Sequence, residues 1–446
     1  MRMRLAIGGF GPCVRQLSRG GISANRLYLP RSANPLFLVR VNRYLCRAMA
    51  ILFLIVFIDL VGFGVIIPLL PFYGVHFGAS PAQVTWMMAC YSLAQFFFSP
   101  LLGRLSDRLG RRPVLLISIA VSVLSYLWLG FANALWMLFA ARLISGAGAG
   151  NIAAAQAYIS DVTAPETRTK GMGMIGAAFG LGFTIGPALG GLVAGSEPSA
   201  AALARPAFLA AGLSFLALLL AFFRLKESLP FAARVAARGP SRWQLARGLW
   251  ARPTLRQLIL LLLVTISAFA GMETTFALWA NSAFGWGPQQ VGGIFLYVGL
   301  VLVTTQGLLI GRLSKRFGEA RLVIAGAVMI ALGLLGLPLA LALWRLLIVN
   351  ALLAFGMGLL NPSLTSLISQ QADADERGGV LGVAQSASSL ARILGPAIAG
   401  PLFEGFGRDA PYLVGALIMA GVTALAMRVP RGKAAAAAAG RDMLAS

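Results

Sequence analysis

Acidic residues are scarce in this chain. Only 14 of its 446 residues are Asp or Glu, against 37 Lys and Arg, and charged residues of every kind make up 11%. A water-soluble domain carries about 25% charged residues, so there is too little charge here to cover a water-facing surface. Histidine is nearly absent: His76 stands alone in a short segment after the first apolar run, where a solvated loop position suits it better than a metal or catalytic role. The three cysteines, Cys13, Cys46 and Cys90, have no paired spacing, so they offer neither a disulfide framework nor a thiolate metal site. No GxxxxGK[ST] loop is present to cradle nucleotide phosphates. These absences argue against an enzyme, which needs a convergent nucleophile, base or metal cluster. They also leave no basis for a metal site, a cofactor or ATP as an energy source.

What the chain has in abundance is apolar sequence: 58% hydrophobic residues and a mean hydropathy of +0.81. About 20 apolar residues cross the hydrocarbon core as one helix, and backbone groups in lipid must bond within their own segment, which selects helices over open strands. Twelve spans are read, at about 49–72, 82–102, 113–133, 135–159, 171–195 and 206–224, then 256–280, 289–311, 321–342, 345–369, 379–402 and 411–428. The fold class is therefore an all-α membrane protein of two six-helix bundles. The bundles cover 49–225 and 255–429 and are joined by a basic linker, 226–254.

The formal charge of +23 would point to nucleic acid in a soluble protein. Here the basic residues collect in alternate connections, which is an orientation signal instead. One set contains Arg104, Arg108, Arg111 and Arg112, then Arg312, Lys315, Arg316 and Arg321, the tail with Arg428, Arg431 and Lys433, and the linker with Arg224, Lys226, Arg234, Arg238, Arg242, Arg247 and Arg252. The opposite connections, around 74–81, 131–134 and 282–288, are nearly uncharged. The positive-inside rule places both termini and the linker in the cytoplasm. Residues 1–48 stand outside the pattern, with nine arginines and no acid. They read either as a transit-type leader or, preferably, as translation from upstream of a true start at Met49. Residues 430–446, with the run Ala434–Ala439, read as a disordered tail.

A basic loop occurs twice, as GRLSDRLGRR from Gly103 and as GRLSKRFGEA from Gly311, an offset of 208 residues (311 − 103). Gly186-Pro187 recurs as Gly395-Pro396, and Glu166 as Glu376, at nearly the same shift. A duplicated helical membrane domain is a common way to build two halves around a central path. The first loop, with Asp59-Leu-Val-Gly62-Phe-Gly64, Pro68 and Pro71 in span one, Arg142 with Gly146, Gly148 and Gly150 in span four, and Gly176, Gly180 and Gly186-Pro187-Ala-Leu-Gly190-Gly191 in span five, resembles the motif set of the major facilitator superfamily. Over about 49–430 it is similar to the twelve-span drug:proton antiporters, above all the bacterial tetracycline-type efflux proteins.

The resemblance implies a multi-pass protein of the bacterial inner membrane that exports a small amphipathic molecule in exchange for protons, without nucleic acid and as a monomer. Proton-coupled uptake or symport, or a non-transporting sensor, are the rival readings. The resemblance also implies that Asp107 and Arg111 or Arg112 form a latch between the halves, with Gly103 and Gly110 at a tight turn and Asp161 or Glu166 as partners. The tetracycline exporters carry acids in spans three and nine. Both spans lack them here, which argues against tetracycline and any metal-chelated substrate.

Ionisable residues inside a span are costly and mark function. Three are read: Asp59 in span one, Arg142 in span four and Glu273 in span seven. Asp59 and Arg142 are expected to meet near mid-depth and to couple protons to substrate, a fixed structural bridge being the alternative. Glu273 is expected to be a second proton site or a cation-attracting wall. Gly186, Pro187, Gly190, Gly191, Gly395 and Pro396 are expected to give closely packed, movable helices. Asn151, Gln156, Trp279, Asn281, Tyr297 and Gln306 are candidate lining residues of the path.

Overall fold

A computed structural model describes residues 35–149, 151–163, 165–196, 200–228, 252–372 and 376–428. Residues 1–34, Gly150, the linker arginines Arg234, Arg238, Arg242 and Arg247, and the tail beyond Arg428 lie outside the described residues. Contacts divide the chain into Met1–Ala48 and Met49–Ser446, and the second unit carries all of the expected spans.

Among the described residues the regular structure is entirely helical. The helices are Pro35–Ile66 with Leu70–His76, Pro81–Leu109, Arg111–Gly130, Leu135–Gly148 with Asn151–Val162, Pro165–Ala194 and Ala200–Arg224. The second half has Pro253–Phe284, Pro288–Thr304 continued by a π-turn and Ile310–Phe317, Glu319–Gly336, Leu343–Gln370, Arg377–Phe406 and Ala410–Ala426. Their order matches the twelve expected spans, although the first helix begins upstream, at Pro35. Eight of these segments are long and apolar enough to cross a membrane, and Leu135–Gly148 and Ala410–Ala426 are shorter apolar helices. Spans two and eleven, Pro81–Leu109 and Arg377–Phe406, are not among them.

Local sequence sets the ends and breaks. Pro68 has no N–H to offer, and the first helix is interrupted between Ile66 and Leu70. Ser80 caps span two reciprocally with Gln83, and Pro81 takes the first helical position. Gly110 and its repeat counterpart Gly318, at φ +107° and +79°, make the turns into spans three and nine. The basic loop is thus shorter than expected. Gly103 lies inside the helix of span two with open space where a Cβ would sit, and only Gly110 makes the turn.

The halves share one packing plan. In the first, span three packs on spans four and six; in the second, span nine packs on spans ten and twelve. Gly186 brings span five onto span one, where an added Cβ would lie 2.7 Å from the Gly64 Cα and 2.7 Å from the Val61 carbonyl oxygen. Gly190 meets the Val65 carbonyl in the same way. Gly395 repeats the contact between spans eleven and seven, against Ser267 and Gly271. With no hydrophobic drive between helices in lipid, such backbone approach is what holds them together.

Across the halves, span two packs on span eleven and span five on span eight. These seams close only toward the weakly charged end. There the Glu404 carboxylate accepts from Ser80 Oγ at 2.8 Å and from the Ala82 N–H at 3.1 Å, and Trp86 Nε1 donates to the Ala397 carbonyl at 3.3 Å. Gly191 lies on Pro288 and Gly292, Thr184 on Gly299, and Gly180 reaches Val303. One and two turns further along the same faces, Gly176 and Gly173 on span five and Gly307 on span eight have nothing within 4 Å. Phe97, Phe98, Leu101 and Leu105 on span two are exposed as well. The path between the halves is shut at the weakly charged end and open at the basic end.

This packing predicts a graded response to one added methyl group. Gly186→Ala and Gly395→Ala should each cost about 1–3 kcal/mol through overpacking, lowering the unfolding temperature of the purified protein in detergent. Gly176→Ala, with open space around it, should leave that temperature unchanged.

Candidate functional site

The site is assembled at mid-span. Asp59 is 7% exposed, and Ser214 Oγ of span six donates to its Oδ1 at 3.4 Å. Gly62, one turn along, lets span one approach the Ala210 carbonyl and Ser214. Arg142 is 1% exposed. Gly146, one turn further, allows span four to rest on the Tyr91 carbonyl, and the Arg142 guanidinium lies 5.6 Å from the centroid of the Tyr91 ring. Its Nε and Nη2 have no hydrogen-bond partner.

Asp59 and Arg142 do not meet as expected. They are coupled through Tyr91 and Tyr126, each of which lies within electrostatic reach of both charges. Asp59, Phe63, Tyr91, Ser122, Tyr126 and Ser145 surround a cavity of about 20 Å³. That is room for a water molecule, not for an organic substrate.

Glu273 is half-buried, and its electrostatic neighbour is Arg392 of span eleven. Arg392 was missed in the sequence. It lies inside the span expected at 379–402, and the same search for intramembrane charge that found Asp59 would have found it. Arg392 also reaches Tyr91, so the charge cluster crosses between the halves. An aromatic row continues from this point: Tyr91 to Phe63 at 4.8 Å, Phe63 to Phe183 at 5.7 Å, and Phe183 to Phe179 at 6.2 Å.

A second network sits at the basic end. Arg111, 8% exposed, donates to Asp107 at 2.6 Å, to Asp161 at 2.9 Å and to Ser106 at 3.2 Å. The Glu227 carboxylate accepts the backbone N–H groups of Arg111 and Arg112 at 2.8 and 3.1 Å. It caps the helix of span three, where an anion is favoured. Arg112 donates to the Phe222 carbonyl and stacks on the Phe222 ring. Arg111, Arg112, Asp107, Asp161 and Phe222 belong to the first half and Glu227 to the start of the linker, so among the described residues the expected latch between halves is, in this conformation, a clamp that stays on the first half's side. Glu166 has no described side chain. Its counterpart Glu376 pairs with Arg252, with Nη1 and Oε2 2.8 Å apart. In the second copy Glu319 accepts from Ser366 and Gln370, which replaces ion pairs by neutral donors.

The comparisons with known proteins agree with this architecture. The Major Facilitator Superfamily model matches residues 52–396 and 307–443. The class C tetracycline resistance protein of Escherichia coli is 33% identical over 353 residues, covering 78% of this chain and 87% of that protein. The chain belongs to the Major Facilitator Superfamily. Multidrug resistance protein 2 of Bacillus subtilis is 29% identical, covering 82% of this chain and 90% of that protein. The crystal structure of the human organic anion transporter MFSD10 aligns with a TM-score of 0.65 at 26% identity, covering 86% of this chain and 99% of that one. As a superfamily member the protein is a multi-pass membrane transporter and not an enzyme.

Several expected lining residues take other places. Trp279 is fully buried and donates Nε1–H to Asp409 at 2.8 Å, among Phe276, Phe284 and Tyr412. It is core, because an indole N–H taken out of water needs a fixed acceptor. Asn281 ties the end of span seven to the Trp286 carbonyl. Gln156 is exposed, Tyr297 half-buried, and Gln306 exposed on the π-turn of span eight. Asn151 starts its helix, and its side chain is not described.

Charged hydrogen bonds of the Arg111 type contribute about 1.5–3 kcal/mol each. Arg111→Gln is expected to lower the unfolding temperature in detergent clearly, Glu227→Gln less, and Glu319→Gln least, as its two donors are neutral. Glu404→Ala removes the acceptor that joins spans two and eleven. It should raise the rate at which a cysteine placed at Thr85 reacts with a water-soluble thiol reagent.

Proposed function

We propose that the protein is a secondary active exporter that moves a small amphipathic organic molecule outward in exchange for protons, by alternating access. In this reading it lies in a bacterial inner membrane with both termini in the cytoplasm, and one chain, with its two halves, is the working unit. The positive-inside rule then makes the basic, open end cytoplasmic, and the described conformation is the one that would collect substrate from inside the cell.

The observation that carries the reading is the pair of opposite charges buried among the spans, Asp59 and Arg142, both within electrostatic reach of Tyr91 and Tyr126. A buried carboxylate is favoured protonated when isolated and ionised when a cation approaches. Small shifts of spans one and four relative to Tyr91 and Tyr126 would alternate those conditions. Protonation from outside and release inside would then be tied to which end is shut. Glu273, beside Arg392, supplies a second carboxylate in the other half. Export in preference to uptake draws support from the names of the tetracycline and multidrug resistance relatives. The lack of an acid at mid-depth in spans three and nine keeps the proposed substrate to an amphipathic organic molecule in place of a metal chelate.

In everted vesicles with an imposed pH gradient, the wild type should accumulate a fluorescent drug, and Asp59→Asn should abolish gradient-driven accumulation by tenfold or more. The same variant should still exchange labelled for unlabelled drug across the membrane. Retention of gradient-driven export by Asp59→Asn would sink the coupling role. Accumulation only with the opposite gradient would establish uptake.

A further inference from the structure

Among the described mid-span charges Arg392 alone is exposed; Arg142 and Asp59 are buried and Glu273 is half-buried. Its side of span eleven is the one that meets other helices. Residues seven apart share a face of a helix, and Gln385, Arg392 and Ala399 form such a row. Its neighbours on that side are Gly395, which meets span seven, and Gly400, which meets span two. The lipid-type residues Leu394 and Ile398, both exposed, lie across the helix from it. Among the described residues the guanidinium enters no hydrogen bond or closed ion pair. Glu273 and Tyr91 lie within its electrostatic reach. An accessible arginine at this depth is costly unless something is meant to sit against it.

Tyr91, which lies within electrostatic reach of Arg392, begins the row Tyr91, Phe63, Phe183 and Phe179, each ring half-buried. Tyr91 belongs both to the row and to the surroundings of Arg392.

We infer that Arg392 is the recognition residue for an anionic group on the transported molecule, a carboxylate or sulfonate carried on a flat aromatic body that stacks along Phe63 and Phe183. A guanidinium presents paired N–H groups that match a carboxylate. Offset and edge-on aromatic contacts favour a planar ligand without fixing its identity, which suits a pocket with few polar groups. When the ligand's anion takes the guanidinium, Glu273 is left with less cationic compensation, which places substrate and the second carboxylate in competition for one partner. The inference deepens the export reading and rests on it for the idea that this cavity is the substrate path.

The test compares fluorescein, an anionic xanthene, with rhodamine 6G, a cationic one, by fluorescence anisotropy on the purified full chain. Wild type should bind fluorescein, and Arg392→Gln should weaken that binding tenfold or more. Arg392→Lys should keep part of it, and rhodamine 6G should bind both variants as it binds wild type. Size-exclusion elution and unfolding temperature identify any variant that fails to fold, and Arg392→Lys then decides alone: unchanged fluorescein affinity in that variant counts against the bidentate contact. No fluorescein binding by wild type, or equal binding by Arg392→Gln, overturns the inference. Gradient-driven rhodamine 6G export surviving such a result leaves the export reading intact. Arg392-dependent fluorescein binding without any gradient-driven transport removes the export reading and keeps the anion site.

Discussion

Water is the usual solvent of charge, and at mid-span it is missing. Everything distinctive about this protein follows from holding two acids and two arginines, Asp59, Glu273, Arg142 and Arg392, where lipid lies outside the helices. Such groups persist only if protein or an enclosed aqueous path surrounds them. The spans that carry or face them are therefore the ones kept from lipid. Spans two and eleven, which supply Tyr91 and Arg392 and pack on each other, fall short of the hydropathy expected of a membrane-crossing helix. Their polarity is tolerable because it is turned inward.

The scaffold that makes this possible is built from missing side chains. Gly186 and Gly190 against span one, and Gly395 against span seven, let backbones touch. Packed interfaces of this kind behave as rigid pairs. The seams between halves use the same device at one end only, where Gly191 meets Gly292 and Gly400 meets Thr85. A rigid pair on each side of a seam that closes at one end is the geometry that rocking requires. The Arg111 clamp fits this picture. With its acids, Asp107 and Asp161, in its own half, it stiffens one bundle while leaving the open end free.

Much of the frame was legible because it depends on composition and repeats, which a sequence displays directly. The twelve spans, the repeat offset and the glycine contacts at Gly186 and Gly395 all follow from local pattern. Partnership was less legible, because it depends on helix rotation and depth. Gly146 sets span four against Tyr91, and the Arg142 guanidinium lies over that ring. Trp279 looked like a lining residue until Asp409, 130 residues away, appeared as its acceptor. Arg392 was legible as a charge inside the span expected at 379–402, and what the sequence could not show is that Glu273 and Tyr91 lie within its electrostatic reach.

Duplication makes the asymmetry of the charges meaningful. At the repeat offset of 208 Arg142 corresponds to Asn350 and Arg111 to Glu319, and at the shift of 209 that relates Gly186 to Gly395, Arg392 corresponds to Phe183. At the offset that relates Gly64 to Gly271, Asp59 corresponds to Ile266 and Glu273 to Ile66. None of the mid-span charges is repeated, although the packing glycines are. Asn350, where the first half has an arginine, donates its amide to the Leu346 carbonyl of its own helix and so needs no partner across the path. The frame has to move as two like bodies, and symmetry serves that. In the proposed exchange, a site that takes up protons and an asymmetric molecule gains nothing from symmetry. Division of labour follows: the first half carries the Asp59–Arg142 pair, and the second half presents the accessible guanidinium, with Tyr91 as the ring that both sides touch.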